Sequence, residues 1–183
     1  WTKIWIEEQC ANSHLTGLSL NAANEVVINY ADEQASHIYT LDSEGNEVSS
    51  LETSLSELGG FENIPGYGNI AFKENMLYGF SNNGALSDLA TFQFYIQDMQ
   101  LLNDSLYILT SDSIFIFDTG MQVLQTNTTP GYTDFSKLKV SANTVSFIVN
   151  GSATQQVVTL DKELQWMHGT IVPVPLIAGT LKK

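Results

Sequence analysis

From Asn103 to Gln125 the chain reads NDSLYILTSDSIFIFDTGMQVLQ, and this stretch decides the fold. Asn103-Asp104 opens it. An apolar run, Leu106-Tyr107-Ile108-Leu109, follows and breaks at Ser111-Asp112. A second run, Ile114-Phe115-Ile116-Phe117, ends in Asp118 and a Gly120 turn, and Met121-Gln122-Val123-Leu124-Gln125 is the third. Each run has the length and the β-branched or aromatic content of a strand, and each break carries the residues that favour tight turns. The stretch is an antiparallel meander.

The same grammar recurs on both sides. Asn24-Glu25 leads into Val26-Val27-Ile28-Asn29-Tyr30, Glu74-Asn75 into Met76-Leu77-Tyr78-Gly79-Phe80, and Ala142-Asn143 into Val145-Ser146-Phe147-Ile148-Val149. Strands that end in Asp return at Ile38-Tyr39-Thr40-Leu41-Asp42 and Val157-Val158-Thr159-Leu160-Asp161. No segment sustains a 3.6-residue apolar period beyond two turns, so the chain is all-β. The unit is three or four antiparallel strands per roughly forty residues, the scale of propeller blades. Such a meander cannot bury its apolar face alone and must stack on a neighbour.

On these repeats the chain resembles the divergent β-propellers of secreted and cell-surface bacterial proteins. The resemblance implies about four blades of antiparallel meanders, either as a ring or as a fragment of a larger propeller. It rests on generic repeats, because WD dipeptides, kelch double glycines and tryptophan-docking motifs are missing. A β-sandwich of about eight strands is the alternative. The interval from Asn75 to Asn103 is shorter than the others, which predicts that the second blade lacks its outer strand.

Residues 1–183 read as a single all-β repeat domain. One segment departs from the pattern. Ser54-Leu55-Ser56-Glu57 has capping-box spacing, Leu51, Leu55 and Leu58 share a helical face, and Gly59-Gly60 would stop the run. A short amphipathic helix is therefore expected over residues 51–58, as a lid on one end of the sheets. Thr2-Lys3-Ile4-Trp5-Ile6-Glu7 alternates like the outer strand of a blade whose inner strands are missing or lie at the far end of the chain. Pro173 and Pro175, two residues apart, mark a sheet edge. Trp1, Trp5 and Trp166 fall where outer strands are expected and read as packing residues.

Composition narrows the function. Hydrophobic residues make up 43% and charged ones 15%, with 20 acidic residues, seven lysines, no arginine and a formal charge of −13. Without arginine the surface lacks the bidentate forks that grip phosphate or guanine, and a polyanion would be repelled. Nucleic acid is excluded as a partner. No apolar run reaches the ~18 residues of a membrane helix. Low charge with abundant Thr, Asn and Ser fits an extracellular or outer-surface protein, and a start at Trp1 reads as a mature or trimmed product. Asn103, Asn127 and Asn150 head Asn-x-Ser/Thr triplets, read as chance in so polar a chain. Cys10 stands alone, which leaves no disulfide or CxxC motif within the chain.

Signatures of chemistry are sparse. His14, His37 and His168 share no ligand spacing. Asp42-Ser43-Glu44-Gly45-Asn46-Glu47 superficially resembles a calcium loop, but it lacks the alternating Asp/Asn ligands and distal Glu, and reads as a hairpin turn. No cofactor is expected, with calcium at this loop as the lesser alternative. No nucleophile elbow or phosphate loop is present. Paired carboxylates at a central channel remain open to a propeller hydrolase or lyase acting on polysaccharide. The lead favoured by sequence is a duplicated loop, Pro65-Gly66-Tyr67-Gly68-Asn69 against Pro130-Gly131-Tyr132-Thr133-Asp134. If the repeats are equivalent, Tyr67 and Tyr132, flanked by Asn69 and Asp134, would share a rim suited to a protein or glycan. The competing reading has both tyrosines stapling adjacent blades. The expected function is a non-catalytic interaction module for a protein or glycan at the cell surface, with a structural subunit of an adhesin or secretion-associated assembly as a further alternative.

Overall fold

A computed structural model describes residues 14–20, 23–64, 67–80, 85–128, 135–150 and 154–173. The first blade is β1 (His14–Leu20), β2 (Val26–Ala31), β3 (Ser36–Leu41) and β4 (Glu47–Thr53). The second is β5 (Gly59–Ile64), β6 (Gly68–Lys73), β7 (Met76–Phe80) and β8 (Leu86–Thr91). The third is β9 (Ile96–Leu102), β10 (Ser105–Thr110), β11 (Ser113–Asp118) and β12 (Val123–Thr128). The fourth is β13 (Phe135–Val140), β14 (Thr144–Asn150), β15 (Thr154–Asp161) and β16 (Trp166–Pro173). Each blade is a four-stranded antiparallel sheet with its strands in chain order.

The first strands of successive blades touch one another, β1 to β5, β5 to β9 and β9 to β13, and therefore form the hub. Apolar faces meet between blades in three clusters. Val27 and Ile38 pack with Phe61 and Phe80 between blades one and two. Ile70 and Leu77 pack with Ile108 and Phe117 between blades two and three. Ile114 and Ile116 pack with Phe135 and Phe147 between blades three and four. Three junctions for four sheets is blade stacking, and a two-layer sandwich is excluded.

Three of the third-to-fourth-strand hairpins are closed the same way. The Asp42 carboxylate accepts the N–H groups of Glu44 and Asn46, each at 2.9 Å. Asp118 accepts those of Gly120 and Gln122 at 2.9 and 2.8 Å, and Asp161 that of Gln165 at 2.7 Å. This is why a strand ending in Asp recurs in the sequence: the side chain substitutes for backbone acceptors at the turn. Bonds from the Asn46 side chain and then its backbone hold Asp42 below the usual carboxylate range. Asp42–Glu47 is thus a carboxylate-closed turn.

Two expectations need correction. There is no helix at 51–58. Leu51 pairs with Ile38 inside β4. Beyond it the Thr53 hydroxyl accepts the Leu55 N–H at 3.4 Å and donates to the Leu55 carbonyl at 3.2 Å, and Glu57 takes φ +59°. Leu51, Leu55 and Leu58 do reach one apolar cluster, but by a strand and a turn. The second blade also keeps its outer strand, β8. Glu74-Asn75 joins a second strand to a third, whereas Asn24-Glu25 and Asn103-Asp104 join first to second, so its short interval to Asn103 measured unlike positions. At the far end Pro173 closes β16, which among the described residues pairs with β15 alone and forms the sheet edge; Pro175 lies outside the described residues. Trp166 begins β16 with half its surface exposed. Trp1, Trp5, Cys10 and the Thr2–Glu7 segment also lie outside the described residues.

Candidate functional site

Every hub strand carries an irregularity near its start. Register slips between Leu15 and Gly17 in β1, Gly59 and Glu62 in β5, and Ser136 and Lys139 in β13. In β9 Ile96 and Asp98 pair with adjacent residues of β10, which leaves Gln97 as the extra residue. Bulges re-aim side chains, and here all four act at the same height. Thr16, Gly60, Gln97 and Lys137 come from the bulges themselves and line one cleft of about 350 Å³, joined by Glu62 and Asp98.

Antiparallel order places this cleft. Turns joining second to third strands, and the connections between blades, lie at the end where hub strands begin; the other turns lie at the opposite end. The cleft therefore opens on the connection side.

Glu62 and Asp98 are the half-buried carboxyls of the cleft. Burial pushes Glu62 up to about 7, aided by the Asp98 charge and opposed by a hydrogen bond from the Leu101 backbone. Burial also raises Asp98, against bonds from Leu138 and Met99 and the Lys137 charge. Glu62 thus sits where a carboxyl exchanges its proton near neutrality, while both oxygens of Asp98 are engaged by backbone donors.

Further out on the same side, the connection from β8 to β9 bears two exposed aromatics, Phe94 (41%) and Tyr95 (61%). Its geometry is fixed from both flanks. The Asn75 side chain donates to the Phe92 carbonyl at 2.9 Å, and Ile96 and Ser111 donate to the Glu74 and Tyr95 carbonyls. Phe92 is buried edge-on against Phe115, with centroids 5.0 Å apart. Beside Phe94 lies a hollow of about 230 Å³ whose polar wall is Thr110, Asp112, Ser113 and Thr128. Thr110 donates to Asp112 at 3.1 Å, and Ser113 to Thr128 at 3.3 Å.

Of the residues singled out by sequence, Tyr67 and Asn69 lie at the opposite end of the blades. Tyr67 sits in the β5–β6 turn, 41% exposed, its N–H closing the turn on the Ile64 carbonyl at 3.0 Å. Asn69 begins β6, accepts a bond from Asn63 and lines a groove of about 160 Å³ with Ser49 and Ser50 of the first blade. Tyr132 and Asp134 fall between β12 and β13, outside the described residues. One motif joins two strands within a blade and the other separates two blades, so they are not equivalent in strand order. Sequence reasoning missed Glu62, Asp98, Phe94 and Tyr95. The acidic pair is one choice among twenty carboxylates until the bulges align it, and Phe-Gln-Phe-Tyr-Ile reads as a strand until its connection is seen. Among the described residues, no three of His, Cys, Asp and Glu are grouped to hold a metal ion, and no helix is long and apolar enough to cross a membrane.

No family model and no curated protein matches the sequence. Solved structures do. A Bacteroides caccae protein of unknown function superposes with a TM-score of 0.70 at 9% identity, over 88% of this chain and 68% of that one. A catalytically inactive virginiamycin B lyase from Staphylococcus aureus, solved with quinupristin, gives 0.62 at 11% over 91% and 58%. The Dos1 propeller gives 0.58 at 11% over 73% and 38%. The fold is a β-propeller arrangement of four blades. The chain spans about two thirds of the first of these structures and less of the other two.

Proposed function

We propose that the chain is a non-catalytic recognition module of a secreted or cell-surface protein, presenting loops on a stiff stack of blades to a protein partner or a surface glycan. The observation that carries this is the pair of exposed aromatics, Phe94 and Tyr95, fixed by backbone bonds beside a hollow walled by hydroxyls and a carboxylate. Rigid aromatics give large contact area at small entropic cost, and hydroxyls give adaptable hydrogen bonds. Tyr67 and Asn69 offer a second contact at the opposite end of the blades, and Tyr132 and Asp134 belong to the same proposal by sequence. The acidic, low-charge composition supports an extracellular setting.

The test uses labelled protein against peptidoglycan sacculi, xylan, mannan and intact bacterial cells, the cells with and without surface proteolysis. Binding to one of these should fall at least tenfold with Phe94→Ala/Tyr95→Ala, and loss on proteolysis would make the partner a protein. Equal binding by parent and variant overturns the role of this loop.

Glu62 favours a second reading, a hydrolase or lyase acting on polysaccharide from the hub cleft. A carboxyl titrating near neutrality is suited to general acid–base work. The virginiamycin B lyase provides a precedent for lyase chemistry on this architecture, at the level of fold alone. Turnover of a polysaccharide abolished by Glu62→Gln would establish it.

A further inference from the structure

The lining of the hollow beside Phe94 divides into aromatic rings and side-chain oxygens. Ser113 pairs with Thr128, and Phe115 with Thr126, across β11 and β12. Those four side chains share one face of the third blade, and Phe115 packs into the cluster it forms with the second, so the face looks toward that blade. Phe92 meets Phe115 there in an edge contact, and Phe94, two residues on, completes the aromatic part. Thr110 and Asp112, from the end of β10 and the turn after it, complete the polar part.

The main chain around the hollow has its bonds already. The Ser113 N–H donates to the Thr110 hydroxyl at 3.1 Å, and the Ser113 carbonyl accepts from that hydroxyl at 3.2 Å. The Phe92 N–H donates to the Asn75 carbonyl, and its own carbonyl accepts the Asn75 side chain, both at 2.9 Å. What the hollow offers a ligand is therefore side-chain oxygen. Because Ser113 donates to Thr128, the Thr128 hydroxyl keeps its own proton for an acceptor outside, and Thr126 is exposed on the same face. No lysine lines the hollow, and the chain has no arginine and a formal charge of −13, so an anionic group would be repelled.

We propose that this hollow is a monosaccharide subsite that takes one uncharged pyranose ring of a glycan. The inference rests on the recognition reading and names its ligand. A pyranose matches the lining in both parts: its C–H face covers an aromatic ring, and its hydroxyls exchange bonds with Thr126, Thr128 and Asp112. A peptide would bring main-chain donors and acceptors that find no main-chain partners here, and burying them unpaired is costly. The volume, about 230 Å³, is below the roughly 300–1,000 Å³ of pockets for drug-sized ligands and suits a single ring.

The experiment titrates the isotope-labelled chain, followed by NMR, with methyl glucoside, methyl mannoside, methyl galactoside and N-acetylglucosamine. Methyl glucuronide is the anionic comparison and choline the cationic one. At least one neutral sugar should shift the backbone amides of residues 110–113 and 126–128, and should bind about fivefold or more tighter than the glucuronide. Phe94→Ala and Thr128→Val should each weaken that sugar about fivefold or more, with unchanged spectra elsewhere showing both variants folded. Equal binding by parent and either variant overturns the proposal, as do shifts confined to other residues and choline binding the hollow more tightly than every sugar. Failure of all the neutral sugars to bind overturns it too. The recognition reading then stands if Phe94/Tyr95-dependent capture of cells persists, and falls with it if that capture is absent.

Discussion

The Asp98 carboxylate, on the hub strand of the third blade, accepts the backbone N–H of Leu138, on the hub strand of the fourth, at 2.8 Å. Two residues on, Gln100 accepts the Val140 N–H at 2.8 Å and donates to the Val140 carbonyl at 3.4 Å. Glu62 does the same from blade two, accepting from Leu101 of blade three. Neighbouring hub strands belong to different sheets, so no backbone ladder joins them. Side chains supply the missing acceptors, which ties the cleft's electrostatics to the cohesion of the stack.

Removing the Asp98 tie should therefore destabilise the protein. Asp98→Ala leaves the Leu138 and Met99 N–H groups without their acceptor, a loss of about 1–3 kcal/mol. Asp98→Asn keeps one acceptor and removes the charge next to Glu62, so its loss should be smaller. Urea unfolding at neutral pH checks the order; equal midpoints for parent and Asp98→Ala would show that the tie contributes nothing.

Glu62 makes stability fall with pH. Its folded-state value of about 7 lies above the ordinary 4.5, so the folded protein holds a proton that the unfolded chain releases between those values. Stability from this group is greatest below pH ~4.5, declines as pH rises to about 7 and is flat above, a change on the order of 2–3 kcal/mol. Asp98 shifts the same way. Asp32 acts oppositely at the acid end: bonds from Gln34, Ala35 and His37 hold it at about 2, so its contribution is lost as pH falls toward that value. Glu62→Gln keeps an acceptor for Leu101 and should flatten the neutral decline. Thermal melts from pH 4.5 to 8.5 read it; a parallel decline in the variant would assign the effect elsewhere.

Gly59 and Gly60, expected from sequence to stop a helix, lie instead beneath the Phe72 ring. A Cβ on Gly59 would stand 2.7 Å from that ring, and one on Gly60 2.8 Å, with Gly60 also at φ +54°. The bulge at the mouth of the cleft depends on both. Gly60→Ala combines overpacking and left-handed strain and should cost about 2–4 kcal/mol. Gly45→Ala, also at positive φ but with open space around it, should cost about 1 kcal/mol. A denaturant series that ranks Gly45→Ala as the worse would sink this account.

Much of the fold was legible because blade periodicity is written locally. Turn residues and five-residue runs give strand order, and the Asp42, Asp118 and Asp161 hairpins repeat one hydrogen-bonding solution. One error came from a local signal overridden by pairing, the other from comparing turns at unlike positions in two blades. Ser54–Glu57 carries a helix cap, yet Leu51 is already committed to Ile38 and Leu58 donates to Ser36 and accepts from Asn29. β8, Leu86-Ser87-Asp88-Leu89-Ala90-Thr91, has weak strand propensity and forms because β7 offers it an edge. The hub cleft was not legible. Thr16, Gly60, Gln97 and Lys137 share no residue type, and only the bulges bring them to one height.

The three Asp-closed hairpins also set a contest between strain and burial at Leu164. Gly45, Met121 and Leu164 occupy the positive-φ position at +87°, +61° and +56°. A non-glycine residue there costs about 1 kcal/mol or more. Leu164 nevertheless is fully buried in the cluster between blades three and four, and its carbonyl accepts the Asn127 side chain. Deleting a buried leucine side chain costs about 2–5 kcal/mol, so burial outweighs strain and the turn keeps its leucine. Leu164→Gly relieves the strain and forfeits the packing, for a net loss of about 1–4 kcal/mol. Leu164→Ala forfeits nearly the same packing and keeps the strain, so alanine should be the more destabilising of the two, the reverse of their usual order in regular structure. Guanidinium midpoints decide it: if Leu164→Gly unfolds before Leu164→Ala, the backbone at 164 is not under left-handed strain.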